Sequence, residues 1–191
     1  VLWTSDIQRP EKAAAVRFLG QHHTPDGVVL DWEVQGVLVR ERPEWVSTPG
    51  GPALVRHLTI GSRTIPISWW AAGHLRGRQF TTEASEERTA SQAVRSLRLM
   101  RNTDANAASA AAVLGGQDLQ LDSTTREAGG VAQVSSVLTL QPGAAVSVDL
   151  VLWGGAATAA SKFDGWAKAQ KSLRLQTENI PTAPDVAEQI T

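Results

Sequence analysis

A hydrophobic alternation of period two, recurring in short runs with turn signals between them, constrains this chain more than anything else in it. Across residues 28–34, Val28, Leu30, Trp32 and Val34 alternate with Val29, Asp31 and Glu33. That period marks a strand with one face turned inward. Pro25-Asp26-Gly27 supplies a turn before it, and Gln35-Gly36 permits a tight reversal into residues 37–41, so these two runs are expected to pair as a hairpin. The turn-rich stretch 47–52 leads to a run at 53–60, in which Leu54, Leu58 and Ile60 alternate with His57 and Thr59. Gly61-Ser62 then turns into a run at 64–70. Pro66 lacks an amide donor, which assigns that run to a sheet edge or a bulge.

Residues 94–100, 118–121, 131–140 and 145–153 repeat the style. Gln141-Pro142-Gly143 joins the last two, with Val134, Ser136, Leu138 and Leu140 facing one way and Val146, Val148, Leu150 and Leu152 facing one way opposite them. The expectation is a hairpin central to the core. Roughly eight or nine strands, with no intervening helices long enough for parallel crossovers, give a mainly β fold: an antiparallel β-sandwich. Within 156–173, Ala159, Phe163, Trp166, Ala167 and Ala169 recur at helical spacing, so one short C-terminal helix is expected to seat a face on the sandwich, with Gly165 weakening it. Residues 176–191 are polar, hold two prolines, and carry Glu178, Asp185 and Glu188 without a basic residue. Such an extended tail makes no core of its own. The domain is therefore drawn at 1–175, and the tail at 176–191.

A chain of 191 residues suffices for one domain with its own core. Its 18 basic and 19 acidic residues balance to −1, so no global field draws it to nucleic acid or anionic lipid. There is no cysteine, which excludes disulfides, thiolate zinc sites, thiol catalysis and covalent haem attachment. No stretch reaches the roughly 18 apolar residues of a membrane span; the run at 146–153 is interrupted by Ser147 and Asp149. The chain opens on Val1-Leu2-Trp3 without the features of a signal peptide, and is expected to be a processed or truncated form of an exported protein.

Seven tryptophans and no tyrosine need a reason. Trp32 and Trp166 fit core faces, while Trp3, Trp45, Trp69 and Trp70 sit near ends or loops where a ring is free to meet a partner. His74, Arg76 and Arg78 follow the Trp69-Trp70 pair. Aromatic rings beside guanidinium groups stack sugars, bind carboxylates or lock loops through cation–π contacts. These seven residues are the partner-binding candidates. Asp31 and Glu33 share a strand face, the arrangement that calcium binding or glycoside hydrolysis needs, and equally that of solvated outer-face acids. His22-His23 are adjacent, so in an extended segment they point to opposite sides. Arg88, Arg95, Arg98 and Arg101, set against Glu83, Glu86 and Glu87, read as a self-paired surface or a docking patch for an acidic partner. No serine lies in a nucleophile elbow, and neither Gly50-Gly51 nor Gly115-Gly116 fits a phosphate loop. No catalytic residue, metal ligand or cofactor is assigned.

The series Asp6-Ile7-Gln8-Arg9-Pro10, Arg17-Phe18-Leu19-Gly20, Gly27-Val28-Val29-Leu30-Asp31-Trp32, Gly36-Val37-Leu38-Val39-Arg40-Glu41 and Leu54-Val55-Arg56-His57-Leu58 resembles the β-sandwich module accompanying periplasmic c-type cytochromes and quinoprotein-dehydrogenase-like polypeptides. Leu140-Gln141-Pro142-Gly143 and Leu150-Val151-Leu152-Trp153 extend the resemblance over most of the chain. It implies a periplasmic, non-enzymatic sandwich in redox company; the chain departs from the cytochromes in lacking a haem-binding motif. Three functions are expected in this order. The first is a non-catalytic accessory subunit docked on protein subunits of a membrane-bound redox or photosynthetic complex. The second is a carbohydrate-binding sandwich built on Trp69-Trp70 with Arg76 and Arg78. The third is a sandwich-fold sugar-active enzyme using Asp31, Glu33 or His74, which requires those groups to meet in one pocket.

Overall fold

The computed structural model describes residues 2–4, 14–73, 79–88, 94–103, 105–115, 119–128 and 131–170. Its strands form two antiparallel sheets. In the four-stranded sheet β1 (Leu2–Thr4), β6 (Ile67–Gly73), β11 (Val131–Leu140) and β10 (Leu119–Ala128) lie side by side in that order. The eight-stranded sheet begins with β2 (Val16–Thr24), β3 (Gly27–Val34), β4 (Val37–Thr48) and β5 (Gly51–Ile60). It continues through β12 (Val146–Ala156), β9 (Ala107–Gly115), β8 (Val94–Thr103) and β7 (Gln79–Arg88). A short 3-10 turn, Ala157–Ala159, leads into α1 (Ala160–Ala169).

The main core lies between the sheets. Ile67, Trp69, Leu138 and Leu140 from the smaller sheet join Val39, Leu58, Ile60, Val148 and Leu150 from the larger one in a single buried cluster. This is the sandwich that the alternating runs predict, since every second side chain of each strand reaches the interior. The opposite face of the larger sheet is buried as well where α1 covers it. Phe163, Ala160 and Ala167 of the helix close over Ala53, Val55, Ala110, Ala112, Val151 and Trp153. The Phe163 ring stacks on Trp153 at a centroid separation of 5.1 Å and 12° between planes, and Trp153 Nε1 donates to the Gly50 carbonyl at 3.1 Å. The expected helix is thus present, seated on Phe163 and Ala167.

Several expectations need correction. The run at 131–140 and the run at 145–153 do not form a hairpin: β11 pairs with β6 and β10, whereas β12 pairs with β5 and β9. Their apolar strips meet across the sandwich, not edge to edge. Gln141-Pro142-Gly143 carries the chain from one sheet to the other, alongside the crossover between β5 and β6. The two crossovers are pinned together by reciprocal Arg63–Gly143 backbone bonds of 2.9 Å and by the Arg63 guanidinium, which donates to the Ala144 carbonyl at 2.8 Å. Pro66 precedes β6 instead of lying within it, and β6 runs between β1 and β11.

The Gln35-Gly36 reversal forms as expected, with positive φ at both residues (51° and 81°), the mirror-image turn whose twist suits a hairpin. β4 does not stop at residue 41 but runs to Thr48, through Pro43. The β3–β4 register ends at the Leu30–Glu41 pair while that of β4 and β5 continues to Thr48–Gly51. Pro43 therefore occupies a stretch where β4 has a partner on one side only, which is where a missing amide donor is tolerated.

Candidate functional site

The face of the larger sheet that α1 covers becomes polar beyond the helix. Asp149 lies two residues from Val151, and His57 two residues from Val55, so strand alternation puts both on the helix-side face. The register sets Arg42, His57 and Asp149 in one row across β4, β5 and β12. Within it His57 Nδ1 lies 2.7 Å from Asp149 Oδ1, and Nε2 lies 3.1 Å from Glu44 Oε2. Arg42 reaches Glu44 at 3.2 Å and the Asp26 carbonyl at 3.3 Å, tying β4 to the turn before β3. In the next row Arg40 and His22 flank Asp31 at 3.2 and 3.3 Å.

A proton on His57 answers the excess of carboxylate charge around it. Three carboxylates, Asp31, Glu44 and Asp149, stand against two guanidiniums, Arg40 and Arg42. The hydrogen bond to the buried Asp149 carboxylate holds the His57 pKa above its ordinary value of 6.5; burial opposes the shift, and Glu44 reinforces it. When His57 is protonated, both ring nitrogens donate to carboxylates, and in that state the ring has no lone pair free to take a proton. The arrangement is a clamp across three strands.

Several other ionic groups among the described residues are paired as well. Glu33 is paired with Arg17 at 2.8 Å, so Asp31 and Glu33 are each held by a different arginine. The other face holds a bidentate pair, Arg56 to Glu41, at 2.5 and 2.6 Å, with the Glu41 side chain almost fully buried. Arg101 bonds Asp164, and Lys168 reaches Glu83 at 2.9 Å, stapling α1 to β8 and β7. Burial pushes the Asp164 carboxyl above its ordinary pKa, against the pull of Arg101 and Lys168. Beside that staple lies a cleft of about 300 Å³, lined by Thr81, Arg101, Thr103, Thr158 and Ser161 among others. Among the described residues no three histidine or carboxylate side chains converge as metal ligands.

The partner-binding candidates separate. Trp69 is fully buried between the sheets, so it belongs to the core and not to an exposed face. Trp3 and Trp70 lie on neighbouring strands of the smaller sheet, their backbones opposite Trp69 and Leu2 respectively. His74, Arg76 and Arg78 lie outside the described residues, as does the 176–191 tail. Trp45 is 72% exposed, the most exposed large apolar side chain among those described. It follows Pro43 on β4, opposite Leu54, on the strand face shared with Val37, Val39 and Glu41. That face points toward the smaller sheet, yet Trp45 lies outside the buried cluster between the sheets.

Sequence reasoning missed the His57–Asp149–Glu44 clamp and the Arg56–Glu41 pair. A signal for the first was present: Asp149 is the lone acid in an apolar strand, and such a residue needs a partner in a neighbouring strand. Comparison with family models, with curated proteins and with solved structures finds no match to the chain.

Proposed function

We propose that this chain is a non-catalytic docking module, an accessory subunit held in a larger assembly through Trp45. The observation that carries the reading is that indole, left 72% exposed on a strand paired with β5. A tryptophan offers a large contact area at small entropic cost, and anchors of this kind dominate interface energetics. The paired state of Asp31, Glu33, Glu41, Glu44 and Asp149 supports it too, since each carboxylate already answers a basic group. The resemblance to periplasmic modules suggests an exported, membrane-bound redox or photosynthetic complex as the setting. Among the described residues no helix is long and apolar enough to cross a membrane, so on this reading attachment to a membrane runs through partners.

The test is gentle-detergent purification of the tagged chain from its source membranes, beside a Trp45→Ala variant, with mass spectrometry of what comigrates. Redox or pigment proteins at fixed stoichiometry, lost in the variant, are expected. A species free of partners sinks the reading. A carbohydrate-binding module is the second reading, favoured by the same flat exposed ring; titration with soluble oligosaccharides, followed by Trp45-dependent fluorescence, distinguishes it.

A further inference from the structure

The cleft beside α1 is built from two layers that meet there. Its floor is the helix-side face of the larger sheet: Arg101 and Thr103 follow Leu99, a member of the cluster under α1, at alternate positions of β8, and Thr81 of β7 lies opposite Arg101. Its wall is the segment that starts the helix, where Thr158 and Ser161 stand beside the methyl groups of Ala157 and Ala160. Two ties fix the wall on the floor. The Ala157 amide donates to the Asn106 carbonyl at 3.1 Å, and Ala160 is buried in the cluster beneath the helix. The enclosed space of about 300 Å³ lies at the small end of the range for ligand sites and admits one sugar ring.

The polar groups that line this space are unspent. Hydroxyls elsewhere in the fold close turns or bridge strands: Thr48 bonds the Gly51 carbonyl at 2.6 Å, Thr24 the Gly27 carbonyl at 3.0 Å, and Ser68 meets Thr139 at 2.8 Å. Among the described residues, the hydroxyls of Thr81, Thr103, Thr158 and Ser161 have no such partner. Arg101 gives Nη1 to Asp164, which leaves most of the five donors of its guanidinium.

We propose that this cleft binds a small neutral polyhydroxy compound, a single sugar ring or a linear polyol. Charge selects the class. Arg101 is answered by Asp164, and Lys168 by Glu83 at 2.9 Å, so among the described residues no unanswered cation lines the cleft to receive an oxyanion. A ligand hydroxyl suits a hydroxyl lining in both directions, accepting from one side chain while donating to the next, and it accepts from the guanidinium as well. No aromatic ring lines the cleft among the described residues, so the affinity is expected to be weak, on the order of 1–10 mM. Trp45 lies on the opposite face of the larger sheet, so this site is separate from the docking residue and does not depend on its role.

Amide NMR spectra of the full chain, titrated separately with glucose, mannitol and inorganic phosphate, test the assignment. Glucose or mannitol is expected to shift the Thr103, Thr158 and Ser161 amides saturably, and phosphate is not. Thr103→Val and a Thr158→Ala/Ser161→Ala double variant each weaken binding by about threefold or more, the loss of one or two hydrogen bonds. Thr158 and Ser161 are exposed, so the double variant keeps the wild-type circular dichroism even if Thr103→Val does not. Trp45→Ala leaves the shifts unchanged, which distinguishes this site from sugar binding at the indole. The proposal is overturned by the absence of saturable shifts at these amides with both polyols, by phosphate shifting them in place of the polyols, by their loss in Trp45→Ala, or by unchanged affinity in the folded double variant.

Discussion

Replacing Phe163 by alanine tests whether the helix is a structural layer of this fold or an appendage to it. α1 has 10 residues, contains Gly165, and has no side-chain hydrogen bond at its N-cap. A helix that short is marginal in water, so its order depends on docking. Phe163 is the one large helix side chain that is fully buried; it stacks on Trp153 and lies 5.8 Å from the Trp166 ring. Removing such a ring from a packed core costs about 3–5 kcal/mol, from lost transfer energy and the cavity left behind. The backbone beneath resists collapse, because Gly50 already approaches the Phe163 backbone closely and the Gly50 carbonyl is held by Trp153. The upper half of that range is therefore expected, a large fraction of the roughly 5–15 kcal/mol that holds a domain together. Urea unfolding followed by far-UV circular dichroism is the assay, since it does not rely on the Trp153 fluorescence that the substitution itself perturbs. A loss below about 1 kcal/mol with an unchanged slope refutes the reasoning and shows that the sandwich stands without its third layer.

Other consequences follow from the same geometry. Gly50→Ala brings a Cβ to 3.0 Å from Phe163 Cβ and 3.1 Å from the Ala159 carbonyl oxygen, and is expected to cost about 1–3 kcal/mol in the same unfolding assay. The folded-state pKa of His57 is raised above 6.5, so the stability it contributes is fully present below the unfolded pKa and is lost as pH rises through the folded one. Wild-type stability is expected to fall over the pH interval that begins near 6.5, and His57→Gln to flatten that fall; parallel curves for the two proteins count against the clamp. Glu41→Ala strands the Arg56 guanidinium and is expected to cost about 3 kcal/mol, while replacing both residues with methionine recovers most of it. Equal losses in the single and double variants mean that the pair acts through packing and not through charge.

Legibility in the sequence followed the chemistry of each strand. The runs with branched side chains, such as β3, β5 and β12, declared themselves through alternation. β9 did not, because its sequence is Ala-Ala-Ser-Ala-Ala-Ala-Val-Leu-Gly. Alanine has little strand preference. Its small side chains are nevertheless what the position needs: Ala111 and Val113 face the smaller sheet while Ala110 and Ala112 lie on the side that α1 covers, so the strand is buried on both faces. β2 was hidden for another reason, since the shift between Phe18 and Gly20 breaks the period that would have revealed it. The false hairpin at 131–153 arose because alternation reports which side chains face inward, and says nothing of whether two inward strips lie in one sheet or across two.

The candidate site was less legible because its parts owe their roles to register. His57 and Asp149 are 92 positions apart in sequence, and only the β5–β12 pairing makes them neighbours. The tryptophans divide on a similar principle. Trp69 and Trp45 both lie on strands and both belong to a face turned toward the other sheet, yet one is fully buried and the other 72% exposed. Composition could say that some indole would remain exposed. The extension of β4 through Pro43, beyond its pairing with β3, carries Trp45, the most exposed indole among the described residues. A variant that shortens β4 at Pro43 while keeping Trp45 in the sequence is therefore expected to abolish partner capture as completely as Trp45→Ala; retained capture would show that the indole acts without its strand.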